Sequence, residues 1–188
     1  MAELRRRYAE PHRAFHDWAR IADLLAQAEA IVNGIAERGA FILAVLFHKA
    51  VFDRSQPGGP ERSAALMRGM MGATVRAPVL DRAEALIMAV ARQEVPATSD
   101  PSLRGDAALL MDMDNAVLGS DAAVFDAYEA AYRREYAHLK EDAYRAGRAS
   151  ALQVLLWRER IYRTDRYYLD RERRARRNIE GLVERLSR

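Results

Sequence analysis

The chain has 188 residues, half of them hydrophobic and 30% charged, with no low-complexity tract. That composition excludes a disordered polypeptide and predicts one hydrophobic core, hence a single domain over residues 1–188. There is no cysteine, which removes disulfides, thiolate nucleophiles and Cys-built zinc sites and fits a cytoplasmic location. The 30 basic and 27 acidic residues leave a net charge of +3; their interleaving along the chain reads as solvated helix faces rather than as a nucleic-acid surface.

Met1 to Arg7 is basic and runs into Tyr8, Glu10, Pro11 and His12, so a signal peptide is not expected. From Phe15 to Ala36 the positions Trp18, Ile21, Leu25, Ala28, Val32 and Ile35 recur in steps of three and four, one face of a helix. Phe41 to Phe52 is apolar almost all round and predicts a central helix, with His48 and Lys49 its only titratable members. Its apolar run, Phe41 to Phe47, is far below the roughly 20 residues that span a bilayer, so no membrane partner is expected.

Gln56 to Pro60 is rich in turn residues. Pro60 can open a short helix carrying Ala64, Met67 and Met71, and Pro78 a longer one with Leu80, Ala83, Ile87 and Val90 on one side. Pro96 to Asp106 reads as a second turn-rich stretch and Gly119 as a shorter break. All six prolines lie at or before Pro101, so long uninterrupted helices should follow, two beyond Asp121 and a terminal one where Ile179, Leu182, Val183 and Leu186 repeat. No stretch alternates with period two. The expected class is all-α, with about seven to nine helices and little or no sheet.

A titratable pair inside an apolar helix costs several kcal/mol unless partners or a cavity compensate. His48 and Lys49 form such a pair. His16 precedes them, with Arg20 one turn later, and Met111-Asp112-Met113-Asp114 sets two carboxylates in apolar surroundings. Two histidines and an aspartate drawn from three elements would make a mixed nitrogen and oxygen metal site. The plainer alternative is a core histidine satisfied by a hydrogen bond and a lysine that reaches water from a helix end.

The order Tyr8, Pro11, Arg13, Phe15-His16, then Phe47-His48 with Val51, Phe52 and Asp53, then Glu61-Arg62-Ser63-Ala64, then Asp112, Asp114 and Leu118-Gly119 resembles the predicted metal-dependent phosphohydrolases of the HD superfamily. Arg134-Glu135-Tyr136, Arg160 to Thr164 and Ala175 to Ile179 are similar to the C-terminal half of the same family, so the likeness covers nearly the whole chain. It implies an HD-type helical fold and a divalent metal, which polarises a phosphate oxygen and activates water. On this chain it implies His16, His48 and Asp112 as metal ligands, His48, Asp112 and Glu61 as catalytic candidates, and Asp53 and Asp114 beside the pocket.

The pattern is broken where the metal would sit. The family's tyrosine and histidine with a second histidine four residues on become Phe15, His16 and Arg20; the doublet that names the superfamily becomes His48-Lys49. An asparagine expected before Glu61 is Pro60, and a histidine expected after the mid-chain helix falls near Gln93. An ammonium for a carboxylate changes the local charge by two units, and a guanidinium for an imidazole adds a third. At roughly 4 Å and an effective dielectric near 20, each unit pair amounts to about 4 kcal/mol, so a dication would be repelled.

Three readings follow. In the first, His16, Arg20, His48, Lys49, Asp53, Glu61, Asp112 and Asp114 line a pocket that receives a phosphate-containing small molecule or nucleotide without hydrolysis and without a metal cofactor. In the second, a divalent metal is held in a shifted position and the protein is a working phosphohydrolase. In the third, Arg171, Arg173, Arg174, Arg176 and Arg177 make the terminal helix an interaction surface for nucleic acid or a protein. No glycine-rich loop has phosphate-cradling spacing, and Ser63 has no histidine nearby to activate it. Ligand identity and oligomeric state are left open by these residues.

Overall fold

The computed structural model describes residues 1–53 and 55–188. Among the described residues the protein is all-helical, with nine α-helices and no strand, as the apolar spacing predicts. Two compact units emerge, Met1–Asp114 and Asn115–Arg188.

The first unit holds α1 (Ala2–Tyr8), α2 (Trp18–Ala30), α3 (Arg38–Phe47), α4 (Gly59–Met71), α5 (Ala77–Arg92) and nearly all of α6 (Pro101–Asn115). The apolar α3 is central, packing most extensively on α5 and also on α2 and α4, and Phe41, Ala44, Val45 and Phe47 are wholly buried. It ends at Phe47, short of the Phe52 to which the sequence predicts the helix. The last bonds of the helix are His48 N–H to Ala44 O (2.9 Å) and a tighter Ala50 N–H to Phe47 O (3.0 Å). Beyond them the carbonyls of Lys49 and Ala50 turn to the Arg13 guanidinium, at 2.7 and 3.1 Å. A side chain from another segment thus holds the chain just past the helix end, while Tyr8 OH and His48 Nδ1 take the last helix carbonyls of Leu46 and Val45.

Caps set the other boundaries. Asp17 accepts the Arg20 N–H (3.0 Å) and starts α2 at Trp18 rather than at Phe15. The Pro96 to Asp106 stretch is a turn only in its first half, since Asp100 accepts the N–H groups of Ser102 (2.8 Å) and Leu103 (3.2 Å) and Pro101 opens α6. The entry to α3 has no capping side chain of its own. The buried Asp106 supplies one from α6, accepting from Ala36 N–H (2.8 Å), Glu37 N–H (3.1 Å) and Arg82 Nη2 (3.1 Å).

The second unit holds a 3-10 turn (Ala116–Gly119), α7 (Ala122–Glu135), α8 (Glu141–Leu156) and α9 (Asp165–Leu186). α9 packs on the turn and on α8. Asn178 Nδ2 donates to Leu118 O and Ser120 O, both at 2.9 Å, and the Tyr162 hydroxyl to Asn115 O at 3.1 Å. Glu172 accepts the Ile161 and Tyr162 N–H groups, while Arg176 joins Glu172 to the carbonyls of Leu156 and Arg158 that end α8.

At Gly119 a Cβ would stand 2.6 Å from Arg171 Cβ and 2.8 Å from its carbonyl oxygen, so α9 can lie against the turn only because no side chain is there. Gly119→Ala should lower the unfolding free energy by about 2 kcal/mol through overpacking. Gly105→Ala on α6, where a Cβ meets nothing within 4 Å, should instead raise it by up to about 1 kcal/mol from helix propensity. Urea unfolding of the two variants checks the pair.

Candidate functional site

The first unit gathers part of the candidate set around one carboxylate. Asp114, near the end of α6, places Oδ1 3.7 Å from Arg20 Nη2 and 3.7 Å from His48 Nε2. Arg20 lies on α2, nine-tenths buried, and its Nη2 also donates to the carbonyls of Met113 (3.1 Å) and Asp114 (2.9 Å). Its Nη1 donates to Asp23 at 2.8 Å, and its plane lies over the Phe15 ring at 5.2 Å. The one nitrogen left, Nε, is buried with no hydrogen-bond partner among the described residues.

His48 follows the last residue of α3 and is buried. Its Nδ1 lies 2.9 Å from Val45 O, and since a carbonyl only accepts, Nδ1 donates there and Nε2 is left to face Asp114. Burial by itself would push the Asp114 carboxyl up. The facing His48 imidazole, and after it the charges of Lys49 and Arg20, outweigh burial and hold that carboxyl well below the ordinary carboxylate range. Lys49 itself is half-buried.

His16 is buried against Phe52, ring centroids 4.5 Å apart, and against Phe15 at 5.1 Å. Asp112 is wholly buried on α6. Asp53 and Glu61 are exposed, Asp53 accepting from Ser55 N–H (2.8 Å) and Oγ (2.6 Å) in a local turn and Glu61 standing in the first turn of α4. No group of three His, Asp or Glu side chains is placed to share a metal ion among the described residues.

Three residues that position the site carry no periodic signal. Arg13 is buried, donates to His16 O (3.1 Å), Lys49 O and Ala50 O, pairs with Glu10 at 3.1 Å and stacks on Tyr8 and Phe52. It appeared in the sequence only as one residue of the resemblance. Ser63 is wholly buried and binds both polar groups of Val51, accepting from N–H at 2.9 Å and donating to O at 3.3 Å, so its hydroxyl is engaged in structure. The Tyr8 hydroxyl donates to Leu46 O at 2.9 Å.

In the second unit the basic run of α9 is largely engaged within the unit. Arg176 ends α8, Arg171 donates to Ala116 O (3.3 Å) and faces Asp170, and Arg174 pairs with Asp121 and Asp170; Arg173 and Arg177 are exposed. No helix among the described residues is long and apolar enough to cross a membrane. Set against known proteins, the chain matches no family model, no curated protein and no solved structure.

Asp114 makes acid stability readable. A carboxylate whose folded pKa is depressed adds stability that is complete above the unfolded value of about 3.9 and is lost as pH falls below it. The stability difference between the parent protein and Asp114→Asn should therefore be largest near neutrality and shrink steadily below about pH 4. Urea unfolding at a series of pH values measures it, and a difference that grows on acidification would contradict the arrangement.

Proposed function

We propose that this is a non-hydrolytic HD-type protein whose candidate site binds a phosphate-bearing small molecule or a nucleotide, with no metal cofactor. The observation that carries the reading is the buried Arg20 guanidinium, whose Nε has no partner among the described residues, in company with His48 and Lys49 about Asp114. Six arginines among the described residues have such a nitrogen; that of Arg20 lies on the guanidinium that also faces the buried Asp114 of the candidate site. Guanidinium and ammonium groups bind phosphate oxygens with no metal between them.

The residues present do not fit the divalent ion that the HD resemblance implies. Asp114 already faces Arg20 and His48, and Lys49 stands where the doublet's aspartate would be. A dication among these groups meets like charges worth about 4 kcal/mol per unit pair at roughly 4 Å. The engagement of Arg171, Arg174 and Arg176 within their own unit weighs against the nucleic-acid reading.

Calorimetric titration with inorganic phosphate and with a panel of nucleotides, beside metal analysis of the purified protein, tests this. Saturable binding that weakens by about tenfold or more in Arg20→Ala, with no phosphate released, is the expected result. Stoichiometric metal together with turnover that vanishes in His48→Ala would replace the proposal with a working phosphohydrolase. The Lys49→Asp, Arg20→His double variant should bind a divalent metal that the parent protein does not.

A further inference from the structure

A cavity of about 190 Å³ lies in the second unit between α7 and α8, and none of the candidate pocket residues lines it. Its walls are the rings of Tyr132, Tyr136 and Tyr144, the side chain of Leu139, and the α8 face carrying Gly147 and Arg148. The tyrosines form a continuous series, with centroids 5.0 Å apart for Tyr132 and Tyr136 and 5.9 Å for Tyr136 and Tyr144. The Tyr132 and Tyr136 hydroxyls share one hydrogen bond at 3.1 Å, in which either can be the donor.

Arg148 supplies the charge. Its Nε and Nη2 bind the Glu129 carboxylate, Nη2 also donates to the Tyr128 hydroxyl at 3.2 Å, and its plane lies 4.2 Å from the Tyr132 ring centroid. Nη1 makes no hydrogen bond among the described residues. A guanidinium held on two nitrogens by Glu129 is fixed in orientation and retains one N–H edge for a guest.

We propose that this cavity is a second binding site, for a planar aromatic carboxylate of one or two rings. Flat π-faces on the walls suit a flat guest, which offset or edge stacking among tyrosines stabilises. The volume suits its size, since a cavity of about 150 Å³ in another protein holds a benzene ring. The polar groups suit an anion, with Arg148 Nη1 as the charge-assisted donor. Burial pushes the Tyr144 hydroxyl up to about 12, so it too stays a neutral donor at physiological pH.

Gly147 provides the means of test. A Cβ there meets no atom within 4 Å, so a side chain can start from this lining position, and Gly147→Leu adds bulk at the cavity wall while raising the helix propensity of α8. The full-length protein is titrated with benzoate and indole-3-carboxylate, and with benzamide and indole as uncharged counterparts, followed by ligand-observed NMR and tyrosine fluorescence. The carboxylates should bind with submillimolar Kd, the uncharged rings about tenfold or more weakly, and Gly147→Leu should lose binding while its melting temperature is held or raised. Absence of saturable binding, equal affinity for charged and uncharged rings, or undiminished binding by a folded Gly147→Leu each overturns the assignment.

Discussion

The candidate site depends on one buried cation, Arg13, and the carbonyls it collects. A helix leaves its last carbonyls without partners, and a positive group near that end is favourable for the dipole as well as for the hydrogen bonds. Arg13 takes up the carbonyls of Lys49 and Ala50 just past α3 and, with the same guanidinium, the carbonyl of His16. Glu10 and the faces of Tyr8 and Phe52 compensate its burial. One side chain therefore fixes the two segments that bear the histidines, and the register of His48 relative to His16 follows from it.

Around that frame the charges are arranged so that the protein neutralises its own site. Asp114 faces Arg20 and His48, and these groups together with the Lys49 charge hold its carboxyl ionised against the cost of burial. Arg20 is additionally held by two main-chain carbonyls of α6. These contacts make it a structural fixture whose guanidinium cannot swing out to vacate the space.

The second unit uses the same device with the polarity reversed. Glu172, a buried anion on α9, collects the N–H groups of Ile161 and Tyr162, and Arg176 one turn later takes the carbonyls that end α8. The arginine-rich run of α9 is thus mostly the means by which that helix grips its neighbours. Gly119 completes the arrangement by allowing α9 to approach to van der Waals distance.

The helical class was legible in the sequence because a helix face repeats with a period of 3.6 wherever it packs, and that repeat survives any ignorance of its neighbours. The same holds for α4 and α5, whose apolar spacing and opening prolines lie within one short window, and for α9 by its spacing alone. Helix ends were not legible from apolar spacing. Asp17 and the Asp100-Pro101 pair are local caps that a reading from Phe15 and a turn through Asp106 passed over, whereas the chain just past α3 is held by Arg13 and the start of α3 is capped by Asp106, from 36 and 70 residues away. The candidate set was legible as residue types, but its grouping was not. Only the tertiary structure separates Arg20, His48 and Asp114, which face one another, from the exposed Asp53 and Glu61, because burial and distance depend on how helices pack and leave no mark on spacing along the chain.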